Sequence, residues 1–364
     1  MDTNEKNYSR RAFGKIALAG VPASWVLANL PVSAWAKINS KINGVQIGAI
    51  TYSFRTMPDP NDIIKAYVSM GLGEMELMSG DAEKLAGAPV PAGRGGGGGA
   101  RGAGAPAPGA GAAPAGGFAG MPGMASGGAM APPPAAGGGQ TAAPGGAPAA
   151  PGAAPAPGEG GQGGRRGGAP ATPEQIAARE AAEKALHDWR MAATEATFKP
   201  VKQKIADAGI DLRLLTYNLN VRTTQDDEIE YAFKMAKWLG VKGITTSTQV
   251  SMAKRVAPFA DKYKMPVGFH GHANLTDPNE VAKPESFEAV MAQSKYLMAN
   301  MDIGHYTEAG YDPIAFIEKY HDRITNLHLK DKKKGTNGGG NTPWGQGDTP
   351  IKETLKLLQK NKWD

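Results

Sequence analysis

Three polar residues close three successive hydrophobic runs: His270 in MPVGFHGHAN, Asp302 in YLMANMDIGHY and His328 in ITNLHLKDKK, at intervals of 32 and 26 residues. A parallel barrel of about 250 residues in eight βα units gives ~31 residues per unit, so the intervals predict one polar residue per strand end. Imidazole and carboxylate groups converging on one rim suit a single divalent ion. The chain contains no cysteine. Thiolate ligation and disulfides are therefore excluded, and His, Asp, Glu and water must supply any coordination.

Such a site lends itself to chemistry next to a carbonyl. Isomerising an α-hydroxycarbonyl sugar needs a Lewis acid to polarise the carbonyl oxygen and a base beside the carbon-bound proton. Asp302 and His328 suit the first task. His305 and Lys330 follow them by three and two residues, where they could bond sugar hydroxyls or a developing enediolate. Glu76, read as closing the second strand, is a candidate for substrate contact or for the base. His272 is a candidate ligand or substrate contact. Plainer readings stand beside these: a loop-ordering His272, a loop cap for His305 or Asp302, a core imidazole for His328, a local Lys330–Asp331 ion pair, and a surface carboxylate for Glu76.

The elements that must position these residues alternate between strand-like and helix-like, the pattern of a parallel α/β fold. Strands are predicted at Val45–Thr51, Glu74–Met78, Leu212–Tyr217, Gly243–Thr246, Pro266–His270, Leu297–Asp302 and Ile324–Leu329. One helix is predicted to start near Thr224, with Asp227 as its capping partner, to bury Ile229, Phe233, Ala236 and Leu239, and to stop at Gly240. Another begins at Thr349-Pro350. The stretch from Pro173 to Ala208 reads as one unusually long helix containing a break. His321, Asp322 and Arg323 precede the seventh strand and belong to the opposite rim, where residues serve stability.

Two segments lie outside this pattern. Residues 88–172 are almost wholly Gly, Ala and Pro, too poor in large apolar side chains to offset the entropy of ordering, and are expected to form a disordered insertion. Residues 1–36 read as an export signal: Ser9-Arg10-Arg11-Ala12-Phe13-Gly14-Lys15 resembles the twin-arginine consensus, ahead of a short apolar stretch and Ala34-Trp35-Ala36. Cleavage would send the chain to the periplasm or medium with no stable membrane span. The barrel then occupies residues 37–87 and 173–364. Over the whole chain, 20% charged residues and a net charge of +6 are too modest to argue for nucleic-acid or membrane-surface binding.

Four motifs occur in order on these elements: Phe269-His270-Gly271-His272-Ala273-Asn274, Met301-Asp302-Ile303-Gly304-His305, His328-Leu329-Lys330-Asp331, and Trp344 to Ile351. Together they resemble the sugar phosphate isomerase/epimerase family, with its xylose-isomerase-like TIM (β/α)8 barrel. The resemblance implies one divalent metal ion, Mn, Mg, Co or Zn, held by Asp302, His328 and a fifth-strand residue, His270 or His272. The family's eighth-strand Glu ligand has no counterpart, and seven strands are counted where a closed barrel needs eight. The expectation is therefore a barrel truncated after the seventh βα unit, with the ion weakly held and activity impaired.

The leading functional expectation is a metal-dependent sugar or keto-sugar isomerase or epimerase acting on a small carbohydrate by proton abstraction next to a carbonyl. The alternatives are a dehydratase or lyase on oxidised sugars or glycosides, in which the same enediolate expels a β-leaving group, and a non-catalytic sugar-binding barrel. Gly335–Gly347, with Lys332, Lys333 and Lys334 before it, could cradle a phosphate. A flexible loop leading into the Thr349-Pro350 helix start is the favoured reading of that run.

Overall fold

The computed structural model describes residues 37–89, 172–336 and 339–363. The signal-sequence expectation, and almost all of the insertion expectation, lie outside the described residues.

A short antiparallel hairpin pairs β1 (Lys41–Ile42) with β2 (Val45–Gln46). Seven parallel strands follow, paired strictly in chain order: β3 (Ala49–Ile50), β4 (Glu74–Met78), β5 (Asp211–Thr216), β6 (Gly243–Thr246), β7 (Val267–His270), β8 (Leu297–Asp302) and β9 (Ile324–His328). The first predicted strand thus divides in two. Only Ala49 and Ile50 join the main sheet, and just before them Gly48 passes so close to β4 that a Cβ there would lie 2.6 Å from the Glu74 carbonyl oxygen.

The sheet curls into a partial barrel, with β3 and β9 as its two edges, consistent with the expected truncation. Glu76 on β4 accepts hydrogen bonds from Asn326 and His328 on β9, at 2.9 and 2.7 Å. In a flat sheet those strands, five steps apart at about 4.8 Å each, would stand ~24 Å from one another. Only strong curvature of the sheet brings them together.

Helices between the strands cover the outside: α1 (Pro60–Met70), α2 (Ser79–Leu85), α3 (Pro173–Ala192), α4 (Glu195–Asp207), α5 (Asp226–Leu239), α6 (Ala253–Tyr263), α7 (Pro284–Met291), α8 (Ile303–Glu308), α9 (Pro313–Tyr320) and α10 (Ile351–Asn361). The expected break in the long helical stretch falls at Ala193, whose extended backbone separates α3 from α4. Helix α5 buries Ile229, Phe233, Ala236 and Leu239 and ends at Gly240 in the left-handed region, as its pattern predicts. Its start differs. Gln225 takes the N-cap position, while the Thr224 hydroxyl accepts from the Asn220 amide and is unavailable to cap.

Helix α2 leads into the Gly/Ala/Pro-rich segment and α3 leads out of it. Arg190 of α3 donates to both oxygens of Glu83 of α2, at 2.8 and 3.0 Å, and to Glu228 of α5 at 2.9 Å. A planar guanidinium matched to a carboxylate in this two-point fashion holds direction as well as distance. At the opposite end of the strands from the polar cluster, Arg323 donates to the carbonyls of Met291, Ser294 and Leu297, the stabilising role expected of that rim. Among the described residues no helix is long and apolar enough to cross a membrane.

Candidate functional site

His270, Asp302 and His328 end β7, β8 and β9, and parallel pairing in register places all three on the C-terminal rim: His270 opposite Asn300, Asp302 opposite His328. Asp302 is 1% exposed, and its Oδ1 accepts from the His305 amide, so it caps α8. That cap aims the first turn of α8 back across the mouth and brings the His305 ring over the strand ends. Gly304 between them is required by space. A Cβ there would lie 2.6 Å from the Lys330 carbonyl oxygen.

The result is one contiguous polar cluster containing every residue singled out from the sequence. Ring centres lie 4.9 Å apart for His270 and His328, 4.9 Å for His270 and His272, and 5.7 Å for His272 and His305. Within it, one ligand atom from each of His270, Asp302 and His305 falls within 4.8 Å of the other two. His328 stands beside this trio with Nε2 committed to Glu76 at 2.7 Å, so ligation by His328 would use Nδ1. His305 therefore joins the group that one ion could reach, whereas sequence reasoning gave it a catalytic or substrate-binding role.

The donor chemistry fits a cation. Asp302 Oδ2 is buried without a hydrogen-bonding partner and lies 3.9 Å from His270 Nε2. The Lys330 ammonium sits 3.1 Å from that oxygen as an ion pair and 3.3 Å from His305 Nε2. Positive charge is thus already drawn to the place where the donors point. Burial, with His328 and His272 adding to it, pushes the His270 imidazole well below its ordinary range, and burial lowers His305 as well. Neutral imidazoles are the form that binds metal. Burial alone would raise the Asp302 carboxyl, but His305, Lys330 and His270 outweigh it and hold it ionised far below the usual carboxylate range.

Glu76 lies in the middle of β4 rather than at its end, and it is buried, which rules out a surface carboxylate. Its Oε1 faces the hydroxyls of Thr216 and Thr245, and its Oε2 accepts from Asn326 and His328. Burial pushes the Glu76 carboxyl up, but the His328 charge and these hydrogen bonds bring it below its ordinary value. His328 is the complement: burial lowers it and Glu76 more than reverses the effect. His272 is held between Glu280 on Nδ1, at 2.6 Å, and Ser247 on Nε2, at 3.1 Å.

The loop after β9 is pinned from within. Asp331 accepts from the amides of Gly345, Gly347 and Thr349, the very donors a phosphate would need. Lys332 is buried against Glu308 at 2.8 Å, and Lys333 pairs with Asp348. Backbone donors and lysines here already serve the loop itself.

Several site residues escaped the sequence reading. Asn300 and Asn326 stand two residues before Asp302 and His328, on the same inward face of their strands, and a polar residue at that offset in an apolar run was the available signal. Glu280, Ser247 and Glu308 carried no such signal, since only the fold brings them to the mouth.

Seven parallel strands with interleaved helices and a His/Asp cluster at the C-terminal rim define a TIM-type barrel with its site in the usual place. The model of the xylose isomerase-like TIM barrel family matches residues 180–364, and the chain belongs to that family. Among solved structures, the chain is similar to the probable 3-DHS dehydratase AsbF of Bacillus anthracis, involved in petrobactin synthesis. The identity is 12%, with 87% of this chain and 89% of that one covered and a TM-score of 0.47. It is also similar to the IolI protein with a bound zinc atom, at 14% identity, 49% and 72% coverage and a TM-score of 0.38. A sugar phosphate isomerase/epimerase from Parabacteroides distasonis matches at 18% identity, with 44% and 76% coverage and a TM-score of 0.31. No curated protein matches the sequence.

Proposed function

We propose that this protein is a metal-dependent isomerase or epimerase of a sugar or keto-sugar, working by proton abstraction next to a carbonyl. The observation that carries the reading is the convergence of His270, Asp302 and His305 on one point, with a buried carboxylate oxygen among them that only an ion pair with Lys330 offsets. These three would hold a divalent ion, with His328 adjacent. When bound, such an ion supplies Lewis acidity toward a substrate carbonyl or hydroxyl oxygen.

The chain's own residues supply the remainder. Lys330, half-buried beside Asp302, is placed to offset negative charge on an enediolate oxygen. His272, oriented by Glu280, presents Nε2 at the mouth beside Ser247 and is placed to take and return the proton. Glu76, enclosed by four partners, supports the site from behind. A second reading is β-elimination by a lyase, with His272 as base and the half-buried Lys330 ammonium at the mouth as the group that would protonate a departing oxygen. Export by the twin-arginine route, from Ser9 to Lys15, belongs to the same proposal and fits a carbohydrate substrate met outside the cytoplasm.

The test is metal content together with solvent proton exchange. Purified protein should carry about one divalent ion per chain, Asp302→Ala should carry none, and deuterium from solvent should enter keto-sugars at the carbon beside the carbonyl. Equal metal in both proteins would remove the basis of the proposal. Exchange accompanied by loss of a leaving group would select the lyase.

A further inference from the structure

A single file of hydrogen bonds crosses the barrel interior from β4 to the metal cluster. Glu76 Oε2 accepts from Asn326 Nδ2 at 2.9 Å; Asn326 Oδ1 accepts from Asn300 Nδ2 at 2.5 Å; and Asn300 Oδ1 meets His270 Nδ1 at 2.5 Å. The direction of this file is set at one end. Four donors converge on Glu76, from Thr216, Thr245, Asn326 and His328, and a carboxylate surrounded by donors can only accept. Asn326 must therefore turn its amide nitrogen to Glu76 and its oxygen to Asn300, and the Thr325 hydroxyl, 3.0 Å from that oxygen, agrees with the orientation. Asn300 must in turn give its nitrogen to Asn326 and its oxygen to His270. The His270 proton is then on Nδ1, and Nε2 carries the lone pair, facing Asp302 Oδ2 at 3.9 Å.

We infer that Glu76 is a positioning residue that fixes the tautomer of His270 through Asn326 and Asn300, so that Nε2 is presented bare to the metal cluster. The purpose of this arrangement rests on the reading of His270 as a ligand. The relay itself is a property of the metal-free chain. Partners of this kind around a ligating histidine fix which ring nitrogen is available, and their loss typically costs 10–100-fold in metal affinity. Here the determining group is three links from the imidazole and on the far side of the barrel.

The test is nitrogen NMR of metal-free protein labelled with 15N-histidine, with the His270 signals identified by their loss in His270→Gln. In the wild type, His270 should show a protonated Nδ1 and a bare Nε2. Glu76→Gln keeps the shape but can donate as well as accept, so the enforced direction is lost: both tautomers should appear, and zinc affinity should fall about tenfold or more. Should Glu76→Gln fail to fold, Asn326→Ala cuts the relay at the next link and should give the same mixture. Asn300→Asp retains an acceptor toward His270 and should preserve the Nδ1–H signal, whereas Asn300→Leu should lose it. A wild-type His270 protonated on Nε2, or a single unchanged tautomer in both Glu76→Gln and Asn326→Ala, would overturn the inference while leaving the metal site standing. The predicted NMR pattern in a protein that binds no zinc would do the reverse.

Discussion

Glu76 and His328 are separated by 252 positions in the chain and by 2.7 Å in the barrel. The contact joins the second and seventh strands of the parallel sheet across its interior, so the feature that closes the curvature also forms the floor of the site. Architecture and chemistry share these side chains, and substitutions here will be felt in both.

The pair makes the stability of the metal-free protein depend on pH in a defined way. His328 is raised on folding, so its contribution is complete below the unfolded imidazole value of about 6.5 and is lost as pH rises through the folded one. Glu76 is lowered on folding, so its contribution is present above about 4.3 and is lost as pH falls through the folded value. Maximum stability is expected between those limits. Removing one partner of a buried pair leaves the other uncompensated at a cost of roughly 3–5 kcal/mol. Denaturant titrations of wild type and His328→Leu should differ most near pH 5.5 and converge toward either side, and a constant difference from pH 4 to 8 would show that the pair is not ionised.

Lys330 stands where the proposed ion would sit. Its ammonium lies 3.1 Å from Asp302 Oδ2 and 3.3 Å from His305 Nε2, so loading the site means displacing it. Lys330→Met should raise zinc affinity about tenfold, equivalent to about 1.4 kcal/mol, and lower the melting temperature of the metal-free protein, where Asp302 would lose its counter-charge. Isothermal titration with zinc and thermal melts with and without chelator provide the measurement. Weaker zinc binding by Lys330→Met would show that the lysine assists the ion rather than competing with it.

Gly304 separates Asp302 from His305 because the backbone of Lys330 passes against it. Gly304→Ala must push the β9 loop away from α8, with an overpacking cost of about 1–3 kcal/mol. That movement opens the Lys330–Asp302 contact and shifts the His305 ring. Lost metal binding in a protein that remains folded by circular dichroism is the expected outcome, and unchanged binding would mean that the loop yields without disturbing the cluster.

The strand ends were legible because a parallel barrel repeats at a nearly constant interval and polar residues stand where these apolar runs stop. His270, Asp302 and His328 could be located for that reason. The 3.6-residue stripe of α5, with Gly240 after it, was equally clear. Its first turn was not, because Thr224 had a competing loop partner in Asn220 that no local pattern reveals. Glu76 was found as a residue but misplaced on its strand and given an exposed alternative, since its partners come from β5, β6 and β9 and sequence order says nothing about curvature. The relay through Asn300 and Asn326 depends on which way strand faces turn inside a curled sheet.

Arg190 and Glu83 form the junction at which the Gly/Ala/Pro-rich segment enters and leaves the barrel. Arg190 is stacked 5.5 Å over Tyr217, meets Glu83 through two nitrogens, and also holds Glu228. Burial would lower the guanidinium, but Glu83, Tyr217 and Glu228 raise it beyond its ordinary value, so it stays charged. Closing a loop of ~85 residues rather than five costs only about 2.5 kcal/mol in chain entropy, less than the roughly 3–5 kcal/mol lost when a buried ion pair is broken from one side. The clamp fixes α2 against α3 at the two ends of that segment. Arg190→Ala should destabilise the protein by that larger amount. Glu83→Ala with Arg190→Ala should cost less than the sum of the single changes, and shortening residues 100–155 should leave the Arg190–Glu83 coupling unchanged. Additive effects in the double-mutant cycle, measured by denaturant unfolding, would show that the junction is held by helix packing alone.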